Sequence, residues 1–136
     1  MLTSDTNTEI SMVQVLLIGA GGFVGAVARY GIVSLAQSTW ASSLPIGTLI
    51  VNVTGCLAVG CLSELFQTRP FLDSEVRGFL IIGLLGSFTT FSAFGHETVT
   101  LLRNDGAGLA GVNVVANVLL TIAAVWLGRA IVQSVG

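Results

Sequence analysis

Residues 83–97 read GLLGSFTTFSAFGHE and lie inside an apolar run long enough to cross a membrane. Three glycines, two adjacent threonines and two serines make this stretch a poor helix. A helix interrupted at membrane depth frees backbone N–H and C=O groups where no water can meet them. Such a break is tolerated only where it is buried in protein or lines a polar cavity. The stretch therefore predicts that something polar or ionic is held at the centre of the membrane, against residues 86–94.

The remainder of the chain supports a membrane setting. Of its 136 residues, 53% are hydrophobic and 9% charged, where a soluble domain carries about a quarter charged residues. Too few polar side chains exist to cover a water-facing surface. A net charge of −2 and the lack of any Lys/Arg cluster exclude nucleic acid as a partner. Residues 1–11, MLTSDTNTEIS, are polar and acidic, without the basic start of a secretory signal, and are read as a short disordered N-terminal tail. Residues 12–136 then form one domain of four transmembrane helices, expected over about 12–36, 46–67, 76–102 and 109–132, each near the roughly 20 residues a span needs. The expected class is all-α integral membrane protein, with the break in the third helix. Cys56 and Cys61 fall in one helix on different faces, which makes them small packing residues rather than a disulfide.

The polar residues left inside these spans are few and patterned. In the first helix, Gly21-x-x-x-Gly25 allows a close approach of another helix. Arg29 near its end either snorkels to the interface or is a fixed charge on an anion's path. In the second, Thr48, Asn52 and Gly55 share a face; Asn52 either bonds to another helix or offers its amide N–H groups to an anion. Glu64 and Arg69 at the far end are read as interfacial. The fourth helix carries Asn113, Asn117 and Thr121 at i, i+4 and i+8, one polar stripe that reads as an ion track, with interhelical bonding the alternative. Trp126 and Arg129 are placed as interface anchors. Beyond the break, Phe91 and Phe94 share a face, and they either pack in the core or against lipid or turn their edges to an ion. An aromatic ring has a positive edge, and two such edges stabilise a small desolvated anion without the tight hold of a full charge, which conduction requires. Glu97 is expected near the interface or held by a helix N-terminus or a hydroxyl; His96 is read as structural.

Arginines are nearly balanced across the membrane: Arg69, Arg77 and Arg129 on the side of the termini, Arg29 and Arg103 on the other. The positive-inside rule needs a bias. A chain without one inserts both ways, so that two opposite copies can pair through their glycine-rich faces.

These residues resemble the Fluc (CrcB) fluoride channels. The similarity runs over roughly residues 18–130. It rests on Gly21-Gly22-x-x-Gly25-x-x-x-Arg29-Tyr30, on Gly47-Thr48-Leu49-x-Val51-Asn52-x-x-Gly55, on Gly83-x-x-Gly86-Ser87-Phe88-Thr89-Thr90-Phe91-Ser92-x-Phe94 with Glu97, and on Asn117 with Ala124-Val125-Trp126-Leu127-Gly128. The resemblance implies an antiparallel dual-topology homodimer in the cell (inner/plasma) membrane, with two pores that conduct fluoride passively. It implies an ion path lined by Asn52, Phe91 and Phe94, with a hydroxyl from Ser92, a continuation over Asn113, Asn117 and Thr121, and Arg29 as a vestibule charge. It implies a gating or supporting role for Glu97. It further implies a structural sodium ion (Na+) on the dimer axis, held by the main-chain carbonyls of Gly86 and Thr89. Ala93 stands where the family often has a threonine, Ser87 where glycine is common, and Asn117 where serine is frequent.

Other classes fit worse. A four-helix proton-coupled exporter wants an acidic residue in the middle of its first helix, and none lies between Ser11 and Ala36. A non-transporting assembly subunit leaves the broken helix and the polar stripe without a purpose. No Ser/His/Asp set or metal cluster suggests an enzyme.

Overall fold

The computed structural model describes residues 11–68 and 74–135. Residues 1–10 of the expected 1–11 tail, Arg69 and most of the second connection lie outside these. Continuous apolar sequence gives two long uninterrupted helices at the start, α1 (Met12–Thr39) and α2 (Ile46–Thr68). Pro45 ends the connection between them, where a missing N–H costs nothing, and its carbonyl takes the N–H of Leu49 at 3.2 Å.

The third span, Ser74–Asn104, is built from four pieces. They are a short α3 (Ser74–Arg77), a π-helical segment (Gly78–Leu85), a single turn α4 (Gly86–Phe88) and, after the break, α5 (Phe91–Asn104). Glycine at position 106 (φ +95°) takes the left-handed conformation that closes α5, and the N–H groups of Asp105 and Gly106 both reach the Leu101 carbonyl. The fourth span, α6 (Ala107–Val135), follows at once. All four spans are long and apolar enough to cross a membrane, and no strand occurs among the described residues. The protein is a multi-pass membrane protein.

Alternating crossings make α1 parallel to the third span and α2 parallel to α6. Each pair is joined backbone to backbone by glycine. A methyl group at Gly60 would strike Val125 of α6, and one at Gly128 would strike Leu57 and Cys61 of α2. On the other side, Gly21 and Gly25 of α1 face Phe79, Leu84 and Phe88, while Gly83 faces Ile18 and Gly21. The Gly21-x-x-x-Gly25 motif thus packs inside the chain, against the wide turn of the π-helical segment. Without a hydrophobic driving force in lipid, such close contact supplies the dispersion and weak C–H···O energy that holds helices together. α1 buries little else within the chain: its face with Phe23, Val24, Val27 and Tyr30 is exposed.

The structure adds partners to two of these readings. Glu64, at the far end of α2, is buried and accepts from Arg129 Nε at 3.0 Å and Gln133 Nε2 at 2.9 Å. Arg129, placed as a membrane anchor, is thereby half of a clasp that ties the ends of α2 and α6. The sequence separation of these partners hid the pairing.

Gly128→Leu should force α2 and α6 apart at a cost of about 3 kcal/mol, the upper range for a core without room. The expected result is loss of the monodisperse species on size exclusion in detergent. Gly111→Leu, at a position with open space around it, should leave that species intact.

Candidate ion site at the helix break

The break consists of two extended residues, Thr89 (φ −76°, ψ 156°) and Thr90 (φ −150°, ψ 120°). An unbroken helix would send the Thr90 N–H to the Gly86 carbonyl and the Ala93 N–H to the Thr89 carbonyl. Both donors go elsewhere. Thr90 N–H donates to Asn52 Oδ1 at 2.8 Å, and Ala93 N–H donates to Thr90 Oγ1 at 3.2 Å, which caps α5. These two diversions release the carbonyls of Gly86 and Thr89 from the helical ladder. The Thr90 carbonyl is met by Asn52 Nδ2 at 3.2 Å.

The ends of the broken helix have opposite polarity. The upstream segment ends in freed carbonyls and suits a cation; α5 begins here with exposed N–H dipole and suits an anion. Beside α5, the break opens into a cavity of about 220 Å³, lined by Asn52, Thr89, Phe91, Phe94, Asn117 and Thr121 among others. Five residues singled out from the sequence as an ion path, from three different spans, thus come to one place. The Phe91 and Phe94 rings lie 5.4 Å apart between centroids at a 55° tilt. Phe94 is 9% exposed and Phe91 83% in the single chain, so one ring is built into the core and the other stands free.

The amides are engaged with each other. Asn52 Nδ2 spends its second hydrogen on Asn117 Oδ1 at 3.1 Å. Asn117 Nδ2 donates to the Asn113 carbonyl and to Asn113 Oδ1, at 3.1 and 3.0 Å. Of the two readings open for Asn52 and for the α6 stripe, the geometry of the single chain displays the interhelical bonds. Thr121 Oγ1 is turned to the Asn117 carbonyl of its own helix. Ser92 Oγ lies 3.3 Å from Thr90 Oγ1 on the exposed side of α5. Neither Ser92, Asn113 nor Arg29 lines the cavity. Arg29 sits half-buried on α1.

Glu97 is held by a hydroxyl, one of the three options: Thr48 Oγ1 donates to its Oε1 at 2.7 Å. Its Oε2 is buried without a hydrogen-bond partner among the described residues. The pair lines a second cavity of about 190 Å³ that reaches Trp40 and Gln37 at the α1–α2 connection.

Sequence reasoning took Thr90 as a helix breaker but gave it no partner; it meets Asn52 with N–H and C=O and caps α5 with its hydroxyl. A threonine three residues before Ala93, at the start of a new helical run, was the signal for the cap. Cys56, a further lining residue, carried no signal beyond sitting one turn past Asn52.

A family model described as CrcB-like protein, Camphor Resistance (CrcB), matches residues 16–129. A fluoride-specific ion channel FluC of Methylobacillus flagellatus is 39% identical over 125 residues, 90% of this chain and 96% of that protein. FluC 1 of Methanosarcina acetivorans is 42% identical, covering 87% of this chain and 89% of its own length. FluC of Rhizobium etli is also 42% identical, over 90% of this chain and 98% of its own.

Asn52→Leu should strip the Thr90 N–H and C=O of their partners in a buried place. The expected cost is about 1–3 kcal/mol for each bare group, read as a lowered midpoint of thermal unfolding in detergent. A midpoint equal to that of the parent would show that the break stands without Asn52.

Proposed function

The chain belongs to the CrcB-like family, and from that premise we propose that it is a fluoride-selective ion channel rather than an enzyme. It gives passive export of cytoplasmic fluoride, with resistance to fluoride toxicity as the outcome. The observation that carries this reading is the cavity at the break, where two phenylalanine rings meet the positive end of α5. Ring edges and N–H dipoles attract a small anion, and no fixed cation among the described residues lines the cavity to trap it. Such a site selects by replacing water around the ion, which needs contact on several sides; Phe94 supplies a packed wall and Phe91 a free one.

No energy source beyond the membrane potential is required. Inside-negative potential drives a monovalent anion outward with about 2.3 kcal/mol per 100 mV. Arg29 would concentrate anions at one mouth, and Glu97 with Thr48 stands along the way, where its carboxylate supports or gates passage. Asn117 and Thr121 border the route at the rings, and Ser92 and Asn113 would continue it outside that cavity.

The working unit is an antiparallel pair of identical chains with two pores. Two features favour it: the near-equal arginine count on the two sides, and the exposed α1 face with Phe23, Val27 and Tyr30. Gly86 is likewise exposed in the single chain. Its carbonyl and that of Thr89, released by the bonds of Thr90 and Ala93, are oxygen donors of the kind a sodium ion takes. One such pair from each copy would hold Na+ on the axis between them, where it would neutralise the carbonyl ends of both broken helices. The bound ion would supply structural charge compensation alone.

Liposomes containing the purified protein should lose fluoride rapidly and retain chloride. Phe91→Ile and Phe94→Ile should each slow fluoride loss by about tenfold, the worth of one lost aromatic contact. Chloride loss at the fluoride rate, or no fluoride loss from inserted protein, would overturn the function. Fast loss untouched by both substitutions would keep the channel and remove the rings from its path.

Exchange of sodium for a large organic cation at constant ionic strength should separate the pair or stop the flux. Unchanged flux and an unchanged dimer would exclude the axial ion.

A further inference from the structure

Four side chains form one directed chain of hydrogen bonds that starts and ends on the third span. It begins at Thr90, whose N–H donates to Asn52 Oδ1. Asn52 Nδ2 donates to Asn117 Oδ1 at 3.1 Å, and Asn117 Nδ2 to Asn113 Oδ1 at 3.0 Å. Asn113 Nδ2 then donates to Thr98 Oγ1 at 2.9 Å. The Thr98 hydroxyl gives its single hydrogen to the Phe94 carbonyl at 2.7 Å. That hydroxyl can therefore only accept from Asn113.

The polarity of the chain is set at both ends and agrees. At the break, Asn52 must turn oxygen to the Thr90 N–H and nitrogen to the Thr90 carbonyl. At Thr98, the spent hydrogen demands a nitrogen from Asn113. No single amide can rotate without creating two mismatched contacts in a buried place, where each unmet group is costly. Asn52, Asn113 and Asn117 are all buried.

The two ends of this chain bracket the rings. Thr90 immediately precedes Phe91, and Thr98 lies one turn past Phe94 on the same helix. The geometry points to Thr98 as a positioning residue: it pins the far side of the ring-bearing turns to α6 and so fixes where Phe91 and Phe94 stand. α5 follows a break and has lost the ladder that would hold it to the upstream half. Besides its packing on α6 and the tight turn at Gly106, it is positioned by sideways hydrogen bonds, of which the described side chains supply three: Asn52 with Thr90, Thr48 with Glu97, and Asn113 with Thr98. Of these three bonds, the last alone reaches α6.

The inference rests on the channel reading, and its test separates the two. Unitary fluoride current in planar bilayers is independent of how much protein folds. Thr98→Val keeps the shape and removes the hydroxyl; its unitary current should fall roughly tenfold. Thr98→Ser should restore the parent current. Thr100→Val should match the parent, since that hydroxyl bonds only to its own helix at the His96 carbonyl. Asn113→Leu should fall as far as Thr98→Val, and the double variant no further, because the two residues act as one link. A parent-like current in Thr98→Val, no rescue by serine, or multiplying losses in the double variant would overturn the role of Thr98. Absence of fluoride current in the parent would instead overturn the function itself.

Discussion

The structure depends on one carboxamide. Asn52 meets the Thr90 N–H and C=O together, which is what a neighbouring strand would do for an extended residue. In hydrocarbon no water stands ready for these groups, and here a second helix brings a donor and an acceptor to the same spot. An amide carries both on one rigid plane. A carboxylate lacks the donor, a hydroxyl lacks the span, and an ammonium lacks the acceptor.

That amide reaches Thr90 only because glycines let the helices close up. Gly55, one turn along α2 from Asn52, lies against Thr89 and Phe88, so the chain at the break rests directly on the α2 backbone. Gly60 and Gly128 bring α6 equally near, which places Asn117 within hydrogen-bond distance of Asn52. Close packing and polar satisfaction are therefore one requirement. A wider helix separation would lose the dispersion energy and leave buried polar atoms bare.

Much of this was legible in the sequence, for reasons that differ by residue. The four spans follow from apolar length alone. The break follows from Gly86, Ser87, Thr89 and Thr90, because poor helix formers in a span need a purpose. The convergence of Asn52, Phe94 and Asn117 was open to reading because isolated polar groups in lipid must face one another or a cavity. Partners were less readable. Periodicity places a residue on a face but does not say which atom it meets. Hence the pairing of Glu64 with Arg129 and the spending of Asn52's hydrogens on protein acceptors came only with the three-dimensional arrangement. The π-helical segment had no sequence signal: its wide turn lies where Gly21, Gly25 and Gly83 bring two backbones together, a tertiary circumstance.

The glycine contacts bear on how such a gene can change. A single base substitution in a glycine codon yields alanine, serine, valine, cysteine, arginine, tryptophan or an acid, and each adds at least one carbon. At Gly25 that carbon meets the Leu84 carbonyl, at Gly83 the Ile18 carbonyl, at Gly60 the Val125 carbonyl. Every one-step neighbour of the sequence at these positions therefore carries the same steric defect. A polar position at the helix break has isosteric alternatives within reach, whereas these sites have none. The least decorated residues of the chain are the ones from which its lineage has the fewest ways out.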